Sequence, residues 1–376
     1  MAAESRPLVP SYIEELTSYE PGKTIAEVNE RYQPRKISKL ASNENRLGCS
    51  ERVPPAVEAV LADIQDYPDP IARRLRRKIA DRNGVSPENV ILAAGSESLI
   101  ANMFRTFFCE GEEALTADAT FVGLYVQAGI ENVRVRKVPL DAEYRFDLKA
   151  MAKAIDEQTK VVYIANPNNP TGTYVTKAAF ETFMNLVPED VLVVMDEAYY
   201  EYARGIKDYP RALDYDYKNL LTLRTFSKAY GLAGFRIGYG IGHADLIHMM
   251  MKTKLTFEPT APAQAAAEAA YDDSSFIDKS LEMVADGKER LYRFFEEYEI
   301  DFVPTVSNAV MIVLPDASVT TEITAEMMKK GVILRQATAF GLPNCIRITI
   351  GTRDEIDHFM ESFSSIYNQL FVKKNA

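Results

Sequence analysis

The sequence predicts an α/β protein: a large domain whose mostly parallel sheet lies between helices, followed by a smaller α+β domain. Short apolar runs alternate with helical stretches from residue 89 onward, and the clearest runs are VVYIA at 161–165 and VLVVM at 191–195. Continuous apolar strands separated by helices are typical of a parallel sheet covered on both faces. A long Ala- and Glu-rich helical stretch begins at residue 261 and marks a second unit of ordinary domain size.

The period of the apolar residues predicts the individual elements, because helices repeat every 3.6 residues and strands every two. The predicted strands are residues 90–94, 133–138, 161–165, 191–195, 220–224, 235–239, 309–314, 332–334 and 345–350. The predicted helices are residues 53–65, 71–83, 99–108, 148–155, 176–186, 261–298 with a weak point near 272, 321–330 and 354–367. We divide the chain into an N-terminal arm with one short helix (1–45), a large domain (46–262) and a small domain (263–376).

Composition and charge exclude several classes of protein. The chain has 43 Lys and Arg against 54 Asp and Glu, a net charge of −11, which argues against nucleic acid as the main partner. Three scattered cysteines and three histidines in no metal-binding spacing predict neither a disulfide framework nor a metal site. The basic run at 73–78 is interpreted as a solvated helix face. Because no leader or membrane-spanning run is visible, we expect a cytoplasmic protein that does not bind membranes.

The strongest chemical signal is the segment TFSKAYGLAGFRIG at 225–238, which is centred on Lys228. A lysine in an apolar, cation-flanked pocket has its pKa lowered and can act as an amine nucleophile. Ser227 and Arg236 flank it and suit a phosphate group, because arginine pairs with phosphate through two hydrogen bonds. A second phosphate signal is the Gly-Ser-Glu junction at 95–97, where a strand meets a helix and presents free backbone N–H groups.

Two polar residues follow predicted parallel strands. Asp196 comes directly after the run 191–195, so its carboxylate is expected in the crevice where such sheets bind ligands. By itself it could equally cap the next segment, but with a lysine further on it matches the needs of a pyridine cofactor, whose ring nitrogen a carboxylate keeps protonated. Asn169 precedes a proline in NPNNPTG (166–172), which holds it extended and aims its amide.

These segments, taken in order, resemble those of the fold-type-I pyridoxal-phosphate-dependent aminotransferases, and within them the histidinol-phosphate aminotransferase subfamily. The resemblance extends over almost the whole chain. The matching motifs are LASNEN (40–45), YPD (67–69), GSE (95–97), NPNNPTG (166–172), DEAYYEY (196–202), RTFSKAYGLAGFRIGYG (224–240) and GLPNCIRITIGT (341–352).

The resemblance implies a role for each matching residue. Lys228 would form the internal aldimine with pyridoxal 5′-phosphate and then move the substrate proton, Asp196 would pair with the ring nitrogen, and Asn169 and Tyr199 would bind the ring 3-oxygen. Lys228, Asp196 and Tyr199 form the implied catalytic set. The other implied cofactor residues are Phe121, which stacks on the ring, and Ser96, Glu97, Ser227 and Arg236 at the phosphate.

The resemblance also implies a homodimer with shared active sites, in which Tyr67 reaches the phosphate of the partner subunit and the arm packs on the small domain and on the partner. Arg347 would pair with the substrate carboxylate or its counterpart. The further implied substrate residues are Tyr19, Asn45 and Arg335.

The sequence departs from the family pattern at several positions. The phosphate turn continues as Glu97-Ser98 where the family has Asp-Glu, and Arg46 stands in place of a proline. Glu258, in FEPT, stands where the family has an asparagine. Its carboxylate either favours a cationic or imidazole group of the substrate or faces solvent.

The function that the resemblance implies is ping-pong transamination of histidinol phosphate and 2-oxoglutarate to imidazole-acetol phosphate and glutamate. An aromatic amino-acid aminotransferase acting on Phe or Tyr is the nearest alternative, and a threonine-phosphate-type decarboxylase would use the same lysine. A cofactor-binding regulator would need DNA-binding helices ahead of the large domain, and the residues there are not basic.

Overall fold

The structure, a computed structural model, describes residues 8–16 and 22–367. In chain order the strands are β1 Ser38–Lys39, β2 Val90–Ala93, β3 Glu113–Ala117, β4 Arg134–Val138, β5 Thr159–Ala165, β6 Leu192–Asp196, β7 Leu220–Thr225, β8 Gly238–Gly242, β9 Asp301–Val303, β10 Ala309–Val313, β11 Val332–Ile333, β12 Arg335–Gln336 and β13 Cys345–Thr349. The helices are α1 Ser11–Glu14, α2 Ile25–Tyr32, α3 Val53–Glu58, α4 Arg73–Asn83, α5 Ser96–Phe107, α6 Val122–Ile130, α7 Leu148–Ala154, α8 Lys177–Met184, α9 Tyr200–Ala203, α10 Ala244–Thr253, α11 Ala261–Tyr271, α12 Ser274–Glu297, α13 Ala317–Lys329 and α14 Arg353–Tyr367.

The large domain is built on a seven-stranded sheet of order β2-β8-β7-β6-β5-β3-β4. Every neighbouring pair is parallel except the two that β8 forms with β2 and β7. Along β2, Ile91 and Ala93 pack in one hydrophobic core, and Val90 and Leu92 pack in another. Alternate residues of a strand point to opposite faces, so both faces of the sheet are covered and the predicted fold class is confirmed.

The carboxyl ends of three neighbouring strands meet at one edge of this sheet. Ala165 at the end of β5 is in register with Asp196 at the end of β6, and Asp196 is in register with Leu223 near the end of β7. The loops that follow β5, β6 and β7 therefore leave the sheet side by side. They carry Asn169, Tyr199 and Lys228, which are separated by up to 59 positions in the chain.

The small domain has an antiparallel sheet of order β12-β13-β10-β9, covered by α12, α13 and α14. The arm joins it directly, because β1 pairs in parallel with β11 and Leu40 is buried in the small-domain core. The arm contains two helices, α1 and α2, where the sequence predicted one. Contact between the arm and a partner subunit stays a prediction.

Helix α11 packs with the large domain, although we assigned residues from 263 onward to the small domain. Ala263, Ala266 and Ile277 lie in the same core as Leu75 and Tyr239. The side chains of α12 contact the small-domain core from Met283 onward. The first turns of α12 therefore pack with the large domain, and the rest of the helix packs with the small domain. The composition shift at residue 261 marks a helix boundary and not a domain boundary.

Several elements differ from the predicted ones. The strand β3 and the helices α6 and α10 were not predicted, and the strand predicted at 235–239 begins three residues later, at Gly238. β8 is rich in glycine because it is crowded: a Cβ on Gly238 would lie 2.7 Å from the Ser96 backbone nitrogen. The last third of the predicted 53–65 helix is a 3-10 turn at Leu61–Asp63.

The basic face of α4 is neutralised within the chain. Arg74 pairs with Glu268 at 3.1 Å and Lys78 with Asp272 at 2.5 Å, while the Arg82 guanidinium lies 3.7 Å from the centre of the Tyr271 ring. These contacts join α4 to the end of α11. In the part of the chain that the structure describes, no helix is long and apolar enough to cross a membrane.

Gly231 is expected to be essential for stability, because its φ of +71° favours glycine and a Cβ there would overlap the Gly48 carbonyl oxygen. Gly231→Ala should lower the free energy of unfolding by about 3 kcal/mol or more. Gly234→Ala is the matched control, since a Cβ at Gly234 has no heavy atom within 4 Å. Equal urea midpoints for the two variants would contradict this reading of the turn.

Candidate active site

A cavity of about 210 Å³ opens at the carboxyl edge of the large sheet. It is lined by the loops that follow β5, β6 and β7, by the start of α5 and by Phe121, which precedes α6. Nine of the ten predicted cofactor residues lie in its wall: Ser96, Glu97, Phe121, Asn169, Asp196, Tyr199, Ser227, Lys228 and Arg236. The cavity thus brings together residues that are far apart in the sequence.

Asp196 is a buried carboxylate held from two sides. Its Oδ2 accepts a hydrogen bond from the Tyr163 hydroxyl at 2.6 Å, and its Oδ1 accepts one from the Ala198 backbone N–H at 3.0 Å. Burial raises its pKa to about 6, although these hydrogen bonds and Lys228 oppose the shift. Burial therefore outweighs the contacts that stabilise the charged form of Asp196, and a cationic group in the cavity would lower its pKa again.

The start of α5 and Arg236 form a cradle for an anion. Gly95 precedes the helix with φ +90°, and a Cβ there would lie 2.8 Å from Arg236 Nη2. Arg236 Nη1 in turn donates to Ser227 Oγ at 3.4 Å. The first N–H groups of a helix have no partners within the helix and attract negative charge. Together with the guanidinium and the Ser227 hydroxyl, they form a site of the right chemistry for a phosphate.

Lys228 extends into the cavity from the turn after β7. Its Nζ donates to the Ser42 carbonyl oxygen at 3.3 Å and lies 5.7 Å from the centre of the Tyr199 ring. Ser42 belongs to the arm, so a segment far away in sequence helps to place the Lys228 amine.

Asn169 and Arg347 join the two domains at the cavity wall. A guanidinium nitrogen of Arg347, on β13, donates to Asn169 Oδ1, and Arg347 Nη2 donates to the Ala41 carbonyl oxygen at 2.6 Å. Arg347 is only 6% exposed and is in register with Arg335 on the neighbouring strand β12. Two cationic residues therefore lie side by side on adjacent strands of the small domain.

Comparison with known proteins agrees with this geometry. A family model described as aminotransferase class I and II matches residues 35–363. The chain belongs to the class I and II aminotransferases. It is similar to histidinol-phosphate aminotransferase 1 of Bacillus cereus, with 42% identity over 363 residues that cover 96% of this chain and 97% of the relative. It is also similar to histidinol-phosphate aminotransferase of Bacillus cytotoxicus, with 43% identity over 344 residues (90% and 91%).

A solved structure shows the same fold. The crystal structure of histidinol-phosphate aminotransferase from Sinorhizobium meliloti, in complex with pyridoxal-5′-phosphate, matches with a TM-score of 0.87 and 27% identity, covering 97% of this chain and 99% of that one. The cofactor of this family is pyridoxal 5′-phosphate. The aminotransferase has a buried carboxylate for the ring nitrogen, a primary amine for the aldehyde and a helix N-terminus with an arginine for the phosphate, so its residues fit that cofactor.

Four of the predicted site residues that the structure describes do not line the cavity: Arg335, Arg347, Tyr67 and Asn45. Tyr67 is 78% exposed and stacks on Phe257, with 4.1 Å between the ring centres. Asn45 is buried, and its amide donates to the Ala229 carbonyl oxygen and to Ser280, so it fixes the residue after Lys228 instead of facing a substrate. Tyr19 lies outside the described residues.

Glu258 is partly buried and does not line the cavity. Its carboxylate accepts hydrogen bonds from the Ala94 backbone N–H at 3.1 Å and from the Ser98 hydroxyl at 2.8 Å. The sequence left open a contact with the substrate or with solvent, and the structure shows this contact within the chain instead. Glu258 ties its loop to the junction of β2 and α5.

Sequence reasoning missed four residues that support the site. Tyr163, which binds Asp196, lies inside an apolar strand and would be interpreted as core. Glu197 is completely buried and accepts two hydrogen bonds from Arg224, at 2.6 and 2.9 Å, directly behind the cavity. Asn43 donates to the Tyr199 hydroxyl at 2.8 Å. Its position in LASNEN is a usable signal, but the motif contains two asparagines and the sequence does not show which of them reaches the cavity.

The raised pKa of Asp196 predicts how the cofactor-free protein responds to pH. A carboxyl group whose pKa is about 6 when folded and 3.8 when unfolded stabilises the fold most at low pH and loses that contribution as pH rises from about 4 to about 6. Relative to Asp196→Asn, which does not titrate, cofactor-free wild type should lose up to about 3 kcal/mol across this range and no more above it. Chemical denaturation of both proteins between pH 4 and 8 measures the difference; a constant difference contradicts the assignment.

The contacts of Glu258 predict a structural and not a selective role. Glu258→Ala leaves a backbone N–H and a hydroxyl without their acceptor, so stability should fall by about 1–3 kcal/mol. Glu258→Gln keeps one acceptor oxygen and should lose less. The ratio of kcat/KM for an imidazole-bearing donor to that for an aromatic donor should stay within twofold of wild type. A tenfold change in that ratio would return Glu258 to the substrate side.

Proposed function

We propose that this aminotransferase exchanges the amino group between histidinol phosphate and 2-oxoglutarate, giving imidazole-acetol phosphate and glutamate. The observation that carries the proposal is the convergence of the Lys228 and Asp196 cavity with the buried Arg347, which is joined to the cavity wall through Asn169. The names of the relatives from Bacillus support the same substrate.

We assign the proton transfer to Lys228. Pyridoxal phosphate, when bound, supplies an electron-withdrawing ring that stabilises the negative charge left on the amino-bearing carbon after its proton is removed. The Lys228 amine, held by the Ser42 carbonyl oxygen, takes up that proton and delivers it to the other end of the reacting system. The Asp196 carboxylate would pair with the ring nitrogen of the bound cofactor, and Tyr163 keeps that carboxylate in place.

The two arginines account for the anionic substrates. Ping-pong transamination requires one site to accept two amino donors in turn, and both glutamate and histidinol phosphate carry an anionic group. Arg347 presents a planar guanidinium that matches a carboxylate or phosphate through two hydrogen bonds. Arg335, its half-buried neighbour on β12, supplies the second positive charge. Because β12 and β13 belong to the small domain, movement of that domain would close the cavity and exclude water.

The test compares specificity constants. With 2-oxoglutarate as acceptor, kcat/KM for histidinol phosphate should exceed that for phenylalanine by at least tenfold, because the doubly charged phosphate opposite Arg347 and Arg335 binds more strongly than the singly charged carboxylate of phenylalanine. Lys228→Ala is the negative control. This variant should lose the visible absorbance of the bound cofactor and all turnover. A higher kcat/KM for phenylalanine would make the protein an aromatic aminotransferase, and release of CO₂ without a keto product would make it a decarboxylase.

We propose further that the enzyme is a homodimer in which Tyr67 serves the partner's active site. The segments 61–67 and 255–257 expose five large apolar side chains on one surface: Leu61, Ile64, Tyr67, Leu255 and Phe257. An exposed apolar cluster of this kind is typical of an interface. The three free cysteines, Cys49, Cys109 and Cys345, support the cytoplasm as the compartment, because thiols stay reduced there.

Mixed dimers test the position of Tyr67. Lys228→Ala and Tyr67→Ala subunits, each weakly active or inactive alone, are unfolded together and refolded. If Tyr67 acts across the interface, each mixed dimer has one intact site, and activity should return to about a quarter of the wild-type level for random pairing. Activity that stays at the average of the two parents would place Tyr67 in its own subunit's site.

A further inference from the structure

Asn43 is a buried residue of the arm whose four polar groups are all bound. Its backbone N–H donates to Thr349 Oγ1 at 2.9 Å, and its carbonyl oxygen accepts from Asn308 Nδ2 at 3.0 Å. Its side-chain Oδ1 contacts Thr349 Oγ1 at 3.1 Å, and its Nδ2 contacts the Tyr199 hydroxyl at 2.8 Å. Asn43, Thr349, Asn308 and Tyr199 are each at most 4% exposed. Water therefore does not compete for these bonds.

The Thr349 hydroxyl determines which way the Asn43 amide faces. The hydroxyl accepts from the Asn43 backbone N–H, so its own proton is available for one further bond. Asn43 Oδ1 is the acceptor in place for that proton. If the amide were turned around, the Thr349 proton would face an NH₂ group and would be buried without an acceptor, which is unfavourable by about 1–3 kcal/mol. The NH₂ group of Asn43 therefore faces Tyr199.

An amide NH₂ can only donate, so the Tyr199 oxygen is the acceptor in this bond. Among the described residues, Asn43 is the one hydrogen-bond partner of that hydroxyl. The Tyr199 proton is consequently left for the cavity, whose wall Tyr199 forms. With Asn43 as the donor to its oxygen, the Tyr199 hydroxyl can donate its own proton to an acceptor oxygen in the cavity.

We propose that Asn43, oriented by Thr349, is a positioning residue that makes Tyr199 a hydrogen-bond donor toward the ring 3-oxygen of the cofactor. The inference rests on the proposed function, because it assumes a pyridoxal phosphate in the cavity. The hydrogen bond donated by Tyr199 favours the negatively charged form of that oxygen. Asn43 thereby affects the cofactor without touching it. Through Asn43, the arm and Thr349 on β13 of the small domain influence the Tyr199 hydroxyl of the large domain.

The decisive variant is Asn43→Asp, which keeps the size of the side chain and tolerates the left-handed φ of +55° at this position. A carboxylate can only accept, so Tyr199 would have to turn its proton toward residue 43 and away from the cofactor. The pH midpoint of the visible absorbance change of the bound cofactor should rise by at least one unit, and kcat/KM should fall at least tenfold. Thr349→Val, which frees the amide to turn, should shift the midpoint in the same direction, and Thr349→Ser should not.

The Tyr199→Phe background separates this relay from a simple charge effect. The charged groups beside Tyr199 in the cavity wall are Lys228, Asp196, Glu97 and Arg236, and all stay unchanged. If Asn43 acts through the Tyr199 hydroxyl, Asn43→Asp should move the midpoint by less than 0.3 unit in the Tyr199→Phe protein, about a twofold effect or less. An equal shift in both backgrounds, or no shift in wild type, overturns the proposal. A wild-type protein without cofactor absorbance or transamination would instead overturn the proposed function.

Discussion

The buried negative charge of Asp196 is the constraint around which the site is organised. A carboxylate at the end of a central strand loses the stabilisation that water would give, so it needs hydrogen bonds and an opposite charge. Tyr163 and the Ala198 backbone supply two hydrogen bonds, and burial still raises its pKa to about 6. A cationic group bound in the cavity would therefore be favoured over a neutral one beside this carboxylate.

A second buried pair lies directly behind this carboxylate. Glu197 and Arg224 connect the end of β6 to β7, and Arg224 also lies 3.6 Å from the centre of the Tyr200 ring. The pair is matched in charge and joined by two hydrogen bonds, so it ties β6, which ends at Asp196, to β7, which is followed by Lys228. Removing either partner would leave an unpaired charge in the interior. The resulting loss of stability would be much larger than the net stabilisation that the intact pair provides.

The arm is the element that links the two domains at the site. Three consecutive carbonyl oxygens, of Ala41, Ser42 and Asn43, accept hydrogen bonds from Arg347, Lys228 and Asn308. One short segment thus contacts Arg347 on the small domain, Lys228 on the large domain and the buried amide of Asn308.

The sequence by itself determined the chemistry near each strand end and the alternation of strands and helices, because both depend on neighbouring residues. Lys228 beside a serine and a glycine turn, Asp196 after an apolar strand, and Gly95 before α5 were readable in this way. Only the tertiary structure decided which polar groups meet across long separations. Glu258 binds Ser98 from 160 positions away, Asn43 and not Asn45 reaches Tyr199, and α11 packs with the large domain. These outcomes depend on which surfaces pack against each other, and a local pattern of residues does not predict contacts between distant segments.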